Sequence, residues 1–395
     1  MISISRLLCN VVGPGDALRY GTQGQANTRA AYPAANSQRP IVVWNCTRRC
    51  NLHCVHCYSS AGNQDSPQAL NTEEAKSFIH DLADFGVPAL LFSGGEPLLR
   101  KDIFELASFA REQGLRTVLS SNGTLITREV AKKIRDAGFV EAGISLDGIG
   151  EKNDQFRGKK GAYEATLNGI RNCTALGQRV SLRFTITHSN YLEIPAIFDL
   201  AEREGIDRIC FYHLVYAGRA SDLSGDDLSH SDTRAVVDLI CERTADLYQR
   251  GFSKEVLTVD NHADGVYLYL KLKEQDSQHA AKALALLQTN GGNNSGIRIG
   301  AVDDIGNVHA DQFWQHYSFG NVRQRKFGDI WMDASDPLMH GLKDRKGLLK
   351  GRCAKCYYLD LCNGNLRVRA EAVYGDVWAE DPACYLTDSE IGLVQ

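Results

Sequence analysis

Six short apolar runs alternate with helix-forming segments between residues 41 and 214, and this alternation constrains the fold more than any other feature. Short continuous apolar runs separated by helices are typical of buried parallel strands. Six such units predict an α/β fold, a partial (β/α)6 TIM barrel, whose functional face lies at the carboxyl ends of its strands. The runs are IVVWN (41–45), ALLFS (89–93), RTVLS (116–120), EAGISL (141–146), VSLRFTI (180–186) and RICFYHL (208–214).

Helix boundary signals fit the same alternation. Asn71, followed by Glu74 three residues later, predicts a capping box, and Gly86 predicts the end of that helix. Thr127 predicts the N-cap of a later helix, for which Gly138 is the stop signal.

Composition changes divide the chain into four predicted regions. The N-terminal residues are rich in Gly, Asn, Gln, Ala and Ser without a sustained period, which predicts a poorly structured extension. A hairpin around the turn sequence DDIGN is predicted to open the last region. The predicted regions are an extension (1–39), the barrel (40–225), a helical connector (226–295) and a C-terminal domain (296–395).

The charge balance argues against some partners. Lys and Arg number 44 and Asp and Glu 48, so the formal net charge of −4 gives no electrostatic reason to expect nucleic acid or an anionic membrane. No stretch approaches about twenty apolar residues, and the N-terminus lacks the long apolar core of a signal peptide. These features predict a cytoplasmic protein without a membrane partner.

Seven of the twelve cysteines fall into two clusters. Clustered cysteines in a chain without a secretory signal indicate metal binding rather than disulfides. The first cluster has the spacing C-x3-C-x2-C directly after the first predicted strand, and its members are Cys50, Cys54 and Cys57. The second cluster has the spacing C-x2-C-x5-C-x21-C, and its members are Cys353, Cys356, Cys362 and Cys384.

The number of thiols in each cluster predicts its chemistry. Three thiolates leave one iron of a 4Fe–4S cubane with an open position, where a substrate can bind. Four thiolates can complete a cubane, so the C-terminal cysteines predict a second, closed 4Fe–4S cluster. A zinc site is the alternative for either cluster, and a redox-active cysteine group is a further alternative for the first.

The stretch CNLHCVHCY, together with SGGEP (93–97) at the end of the second strand, resembles the radical S-adenosylmethionine (SAM) superfamily. The resemblance covers residues 41–215. It implies that the open iron binds SAM, and that an electron from the cluster releases a 5′-deoxyadenosyl radical that abstracts a substrate hydrogen. The SAM-binding residues that the resemblance implies are Tyr58, Gly94, Gly95, Glu96, Asn122, Ser145, Asp147 and Arg183. For the strand-end residues among them, local turn hydrogen bonds are the alternative role, and for Tyr58 it is a place in the apolar core.

The C-terminal cysteines resemble the second auxiliary site of SPASM-domain radical SAM enzymes. Those enzymes usually carry a further cluster, with one ligand four residues after the third cysteine, where this chain has Leu366. The upstream segment NVHADQFWQH supplies His309 and His316 but no cysteine, so we expect a reduced SPASM domain with one cluster.

Motifs from residue 40 to the C-terminus, among them HLVYAGR, NHADGVY, FGNVRQRKFGDIW and WAEDPACYL, together resemble the NirJ family of haem d1 biosynthesis. The resemblance implies removal of two propionate side chains from 12,18-didecarboxysirohaem, a tetrapyrrole, with a low-potential electron donor protein as partner. A peptide-modifying SPASM enzyme and a non-catalytic electron carrier are the alternatives. The candidate substrate residues are His213, Arg219, Asn261, His262, Arg367 and Arg369.

Overall fold

In the residues that the computed structural model describes, 1–21 and 39–393, ten strands form one mixed sheet. The strands are β1 (Ile2–Ser3), β2 (Ile41–Asn45), β3 (Ala89–Ser93), β4 (Arg116–Ser121), β5 (Glu141–Ser145), β6 (Val180–Ile186), β7 (Arg208–His213), β8 (Glu255–Val259), β9 (Ile299–Val302) and β10 (Val308–His309). The helices are α1 (Ile4–Cys9), α2 (Asp16–Tyr20), α3 (Thr72–Phe85), α4 (Ile103–Glu112), α5 (Arg128–Asp136), α6 (Glu151–Arg157), α7 (Ala162–Thr174), α8 (Ile194–Arg203), α9 (His230–Gln249), α10 (Ala263–Gln275), α11 (Ser277–Asn290), α12 (Phe327–Met332), α13 (Pro337–Lys343), α14 (Gly351–Lys355), α15 (Leu359–Cys362) and α16 (Arg367–Tyr374).

The sheet has the order β1-β8-β7-β6-β5-β4-β3-β2-β9-β10. All neighbours from β9 through β2 to β8 are parallel, while β1 and β10 pair antiparallel at the two edges. The six predicted strands are β2 to β7, and each agrees with its prediction to within one residue at its carboxyl end. The predicted hairpin is formed by β9 and β10.

The sheet curves around a central cavity. Val43 on β2 and Val259 on β8 line the same cavity, although six strand positions separate them in the sheet. Strands lie about 4.8 Å apart, so in a flat sheet these residues would be about 29 Å apart. This curvature agrees with the partial TIM barrel that the sequence predicts.

The predicted helix caps are confirmed. Asn71 and Glu74 form a complete capping box at the start of α3, and Gly86 ends that helix with a φ of +83°. Thr127 caps α5 by accepting a hydrogen bond from the backbone N–H of Val130. These caps place the loops before α3 and α5 on the carboxyl side of the sheet.

The prediction of a poorly structured extension is wrong for residues 1–21. There β1 pairs with β8, Ser3 caps α1, and Ile2, Ile4 and Leu7 are buried in the main core. The physical reason is the spacing of these apolar residues, which buries one side of a very short strand and helix against the sheet. The rest of the predicted extension, 22–38, lies outside the described residues.

The predicted connector, 226–295, is helical only in part. It contains β8, whose sequence EVLTV is fully buried and extends the parallel sheet beyond β7. The sheet also crosses the predicted boundary at residue 296, because β9 pairs with β2. Within residues 1–21 and 39–393, every helix is too short or too polar to span a bilayer.

Candidate active site

The three N-terminal cysteines lie on the loop that follows β2, at the carboxyl edge of the sheet. Cys50, Cys54 and Cys57 share a small apolar cluster with Leu52, and the first two are buried. The loop folds back on itself, because the Cys50 N–H donates to the carbonyl of Gly62 at 2.6 Å. The three cysteines therefore lie on one folded loop and in one apolar cluster.

The glycines of SGGEP contact the cysteine loop itself. The Gly95 N–H donates to the carbonyl of Thr47 at 2.7 Å, and the next N–H donates to the carbonyl of Arg49 at 2.8 Å. A Cβ atom on Gly94 would lie 2.3 Å from the Thr47 oxygen, and one on Gly95 would lie 2.2 Å from the Arg49 oxygen. Glycine is therefore required here because the backbone just before Cys50 lies against it.

Glu96 joins the ends of β3 and β4 through its buried carboxylate. The carboxylate accepts hydrogen bonds from the Ser121 hydroxyl at 2.9 Å, the Asn122 N–H at 2.8 Å and the Leu98 N–H at 3.1 Å. Burial raises the pKa of Glu96 to about 7, although these three donors act in the opposite direction. In this geometry Glu96 braces the strand ends that surround the cysteine loop.

Asn122 connects the hydrogen bonds of Glu96 to the cysteine loop. Its side-chain N–H groups lie 2.9 Å from the Asn51 side-chain oxygen and 3.9 Å from Cys50 Sγ, and its own oxygen accepts from Thr124. Asn122 therefore fixes the residue that follows the first cysteine.

Arg157, at the end of α6, links two of the predicted positions. Its guanidinium forms a buried ion pair with Asp147, and it also lies 3.6 Å from Cys54 Sγ as a hydrogen-bond donor. Asp147 additionally accepts from the Thr185 N–H at 2.6 Å, so its carboxylate is held between β5 and β6. The structure therefore places Asp147 against Arg157 rather than on the wall of the central cavity.

Arg219, predicted to contact substrate, instead contacts the cysteine loop. Its guanidinium donates to the carbonyls of Cys54 at 2.8 Å and Ala61 at 2.9 Å, and its backbone N–H donates to the carbonyl of Cys57 at 3.0 Å. Three bonds from one residue fix both ends of the C-x2-C segment.

The chemistry of the three thiols fits a metal cluster. Burial raises the pKa of Cys50 to about 11 and raises that of Cys54. A thiolate at these positions needs positive charge nearby. Metal ions supply this charge, and the guanidinium of Arg157 adds to it. Three sulfurs on one braced loop, with N–H donors directed at two of them, are a suitable ligand set for an iron–sulfur cluster with one open iron.

A cavity of about 320 Å³ lies inside the curved sheet. Three of the residues predicted to bind SAM line it: Tyr58, Ser145 and Arg183. The Tyr58 hydroxyl donates to Asn45 at 2.9 Å, so its ring is fixed at the end of β2. The volume is within the usual range of small-molecule sites.

Arg183 projects from β6 into this cavity. It donates one hydrogen bond to the Ser120 hydroxyl, while its Nε is buried without a hydrogen-bond partner in the described part of the chain. A Cβ atom on Gly143 would lie 2.3 Å from the guanidinium, so the glycine of the neighbouring strand makes the space for it.

Of the predicted substrate residues, His213 and His262 line the cavity. His213 Nε2 lies 2.9 Å from an Asp264 oxygen; burial opposes protonation, but this carboxylate raises the pKa of His213 overall. Burial lowers the pKa of His262 well below its usual range. The central cavity is therefore lined by His262, whose imidazole is neutral, and by His213, whose imidazole pairs with a carboxylate.

The remaining predicted substrate residues hold the C-terminal region together. Asn261 donates to the carbonyl of Ala383 at 2.9 Å. Arg367 is fully buried and donates to backbone carbonyls, including that of Val377 at 3.1 Å. Arg369 forms a fully buried ion pair with Asp381.

The four C-terminal cysteines line one small cavity, bounded by α14, α15 and the segment before Tyr385. Burial raises the pKa of Cys384 to about 12 and also raises that of Cys353. This cavity adjoins the central one, because a Cβ on Gly292 would lie 2.3 Å from the Cys362 carbonyl oxygen while Gly292 itself lines the central cavity.

Among the described residues, no group of three or more His, Cys, Asp or Glu side chains is close enough to surround one metal ion. The three N-terminal cysteines share one apolar cluster and the four C-terminal cysteines line one cavity, but neither group is gathered around a single ion. His309 Nδ1 lies 2.7 Å from the Tyr317 carbonyl, and His316 Nε2 lies 2.8 Å from Glu371. Leu366 is buried and lines the central cavity.

Sequence reasoning missed several residues of the site. Arg157 and His56 line the central cavity at its cysteine end, yet neither stands in a spacing that marks it. Asp260 also lines the cavity and belongs to the polar stretch DNHADG, so the polarity of that stretch was the available signal.

The sequence model of the radical SAM superfamily matches residues 44–201 of this chain, which contain both the cysteine loop and the GGEP segment. The crystal structure of Streptococcus suis SuiB bound to S-adenosylmethionine superposes with a TM-score of 0.70 at 18% identity, and the match covers 89% of this chain and 78% of that one. The fold and the site thus define a radical SAM protein, for which a 4Fe–4S cluster and SAM are the implied cofactors.

Two relatives narrow this class. Fe-coproporphyrin III synthase from Methanosarcina barkeri is 58% identical over 395 residues, which cover 99% of each chain. Pre-heme d1 synthase from Dinoroseobacter shibae is 43% identical over 361 residues, which cover 91% of this chain and 89% of its own. The chain belongs to the haem-biosynthesis group of the radical SAM superfamily.

Proposed function

We propose that the chain is a radical SAM enzyme that converts an iron-containing tetrapyrrole precursor into Fe-coproporphyrin III. The observation that carries the proposal is the 58% identity to an enzyme of that name over 99% of both chains. Coproporphyrin keeps its propionate side chains, whereas sirohaem-type precursors carry acetates as well. The side chains that leave in this reaction are therefore acetates.

In this proposal Cys50, Cys54 and Cys57 hold the SAM-binding 4Fe–4S cluster. When bound, the cluster and SAM supply a 5′-deoxyadenosyl radical that abstracts a hydrogen atom from the substrate. Tyr58, Ser145 and Arg183, which line the central cavity, contact SAM. The other five predicted SAM residues position the cysteine loop; they are Gly94, Gly95, Glu96, Asn122 and Asp147.

The C-terminal cysteines hold an auxiliary 4Fe–4S cluster in the same proposal. One layer of backbone, at Gly292 and Cys362, separates their cavity from the central one. A substrate in the central cavity would therefore lie close enough for electron exchange with this cluster, and a low-potential donor protein would supply electrons to the enzyme. The surface of the central cavity is mostly apolar, which limits the access of water to the radical.

A second candidate reaction is removal of two propionates from 12,18-didecarboxysirohaem on the way to haem d1. The 43% identity to pre-heme d1 synthase favours it. The same active site would then direct the radical to propionate rather than acetate side chains.

The test is anaerobic reconstitution followed by incubation with SAM, a reductant and 12,18-didecarboxysirohaem. The proposal predicts 5′-deoxyadenosine and a product with the mass and absorption spectrum of Fe-coproporphyrin III. A product that has lost propionates would establish the second candidate instead. If only peptides stimulate SAM cleavage, both tetrapyrrole reactions are wrong.

A further inference from the structure

Four arginines line the central cavity, and they differ in how their charges are balanced. Arg19 and Arg157 each form ion pairs with carboxylates of the chain. Arg183 and Arg298 form no ion pair in the described part of the chain, and residues 22–38 and 394–395 contain no Asp or Glu. Two cations therefore face the cavity without an Asp or Glu partner.

The backbone of Arg298 lies at the amino end of β9, on the side of the sheet away from the cysteine loop. Its carbonyl accepts a hydrogen bond from the N–H of Ile41, the first residue of β2, at 2.9 Å. The cysteine loop starts at Cys46, after the last residue of β2. With a rise of about 3.3 Å per residue, some 16 Å of strand separate the level of Arg298 from that of the loop.

The surroundings of Arg298 leave its charge uncompensated. One guanidinium N–H donates weakly to the carbonyl of Thr289 at 3.3 Å, and the side chain is half-buried. Burial lowers the pKa of Arg298, and no nearby carboxylate acts against it. A partly desolvated cation in a mostly apolar cavity is stabilised when an anionic ligand binds beside it.

A second polar group on the wall also lacks a partner. The side-chain oxygen of Gln312 is buried and has no hydrogen-bond partner in the described part of the chain, and its residue lines the same cavity. Buried polar groups of folded proteins are normally paired, so an unpaired one at a cavity wall indicates a ligand.

We infer that Arg298 binds a propionate carboxylate of the tetrapyrrole and so orients the macrocycle, an inference that rests on the function proposed above. With one carboxylate held at the far end of the cavity, the opposite edge of the macrocycle faces the cysteine loop, where the radical forms. The anchored side chain is therefore kept away from the radical and stays intact. Arg298 would thus help to determine which side chains react.

The inference is tested by anaerobic absorbance titration with iron coproporphyrin III and with its methyl ester. Arg298→Gln should weaken binding of the free acid by about 10-fold or more, because a charge-assisted hydrogen bond is lost. It should leave the affinity for the ester unchanged, and Arg298→Lys should bind the acid with intermediate affinity. Arg116→Gln is the matched control, since Arg116 also lies at the amino edge of the sheet without an ion pair but does not line the cavity.

The iron content after reconstitution and the circular dichroism spectrum verify that the variants are folded and loaded. Equal affinity of Arg298→Gln and the unchanged chain for the free acid would overturn the inference while leaving the proposed function intact. An equal loss of affinity for acid and ester would overturn it as well. If the unchanged chain binds neither compound, the proposed function itself fails, and the inference fails with it.

Discussion

The guanidinium of Arg157 lies between the carboxylate of Asp147 and the sulfur of Cys54, which is 3.6 Å from its Nη1. One buried cation thus contacts both a carboxylate at the end of β5 and a proposed cluster ligand. Hydrogen bonds and positive charge near cluster sulfurs stabilise the reduced cluster, because reduction adds negative charge.

Arg157→Gln should therefore lower the reduction potential of the SAM-binding cluster. A change of about 59 mV in a one-electron couple corresponds to a tenfold change in the equilibrium constant, and we expect a decrease of this order. The measurement is a redox titration of the reduced cluster followed by electron paramagnetic resonance.

Arg157→Lys, which keeps the charge, should recover part of the potential. Arg171→Gln, which removes an exposed arginine that pairs with Glu204 and not with a cluster cysteine, should leave the potential unchanged. An unaltered potential in Arg157→Gln would show that this contact does not tune the cluster.

Gly95→Ala should reduce iron incorporation at the first cluster. The added Cβ would lie 2.2 Å from the Arg49 carbonyl oxygen, so the backbone that leads into Cys50 must move. We expect loss of up to about four irons per chain after anaerobic reconstitution, together with loss of SAM cleavage.

Gly62→Ala is the matched control for this prediction. Gly62 lies on the same loop, but a Cβ there would meet no atom within 4 Å. If Gly62→Ala and Gly95→Ala incorporate equal amounts of iron, close contact at Gly95 is not what places the loop.

The strands that carry the site could be predicted because each is a short, largely apolar run between helix signals. Sequence reasoning missed β8, since EVLTV lies between long helical patterns, and it missed β1, since a two-residue strand has no period to detect. Local pattern therefore identified β2 to β7 and the β9–β10 hairpin, but not the opposite edge of the sheet, which β8 and β1 form.

Side-chain roles were harder to predict than strands. Motif position drew attention to Arg219 and Asp147, but whether a side chain faces the cavity or the back of a loop depends on residues distant in sequence. Arg219 contacts Cys54, which is 165 positions away in the sequence. Arg298 faces the cavity only because β9 pairs with β2. No spacing in the sequence encodes these contacts.

The auxiliary site gives a prediction that separates the two clusters. Replacement of Cys356 and Cys384 with Ala should lower the iron content from about eight to about four per chain. SAM cleavage without substrate should persist, because the cysteine loop is untouched. Retention of all the iron, or one tightly bound zinc with about four irons in the unchanged chain, would contradict an auxiliary 4Fe–4S cluster.

The last prediction concerns Asp260, whose carboxyl lines the central cavity. Burial raises the pKa of Asp260 to about 7; Asp311 raises it further, while Arg369 and His213 act in the opposite direction. The folded chain thus holds this proton at pH values where the unfolded chain, with an ordinary carboxyl, has released it. The free energy of unfolding should therefore fall as pH rises from about 4 to about 7, by roughly 1.4 kcal/mol for each unit between the two pKa values.

Asp260→Asn should remove this pH dependence. Asp260 has a φ of +66°, and asparagine tolerates that left-handed conformation as well as aspartate does, so the substitution adds no backbone strain. The measurement is denaturant unfolding of both chains at pH 5 and pH 7.5, with Asp222→Asn as a control for loss of an exposed carboxylate. Asp260→Asn should gain stability relative to the unchanged chain at the higher pH, because a buried charge no longer forms there. Parallel pH profiles for the two chains would show that the Asp260 carboxyl does not hold its proton in the folded state.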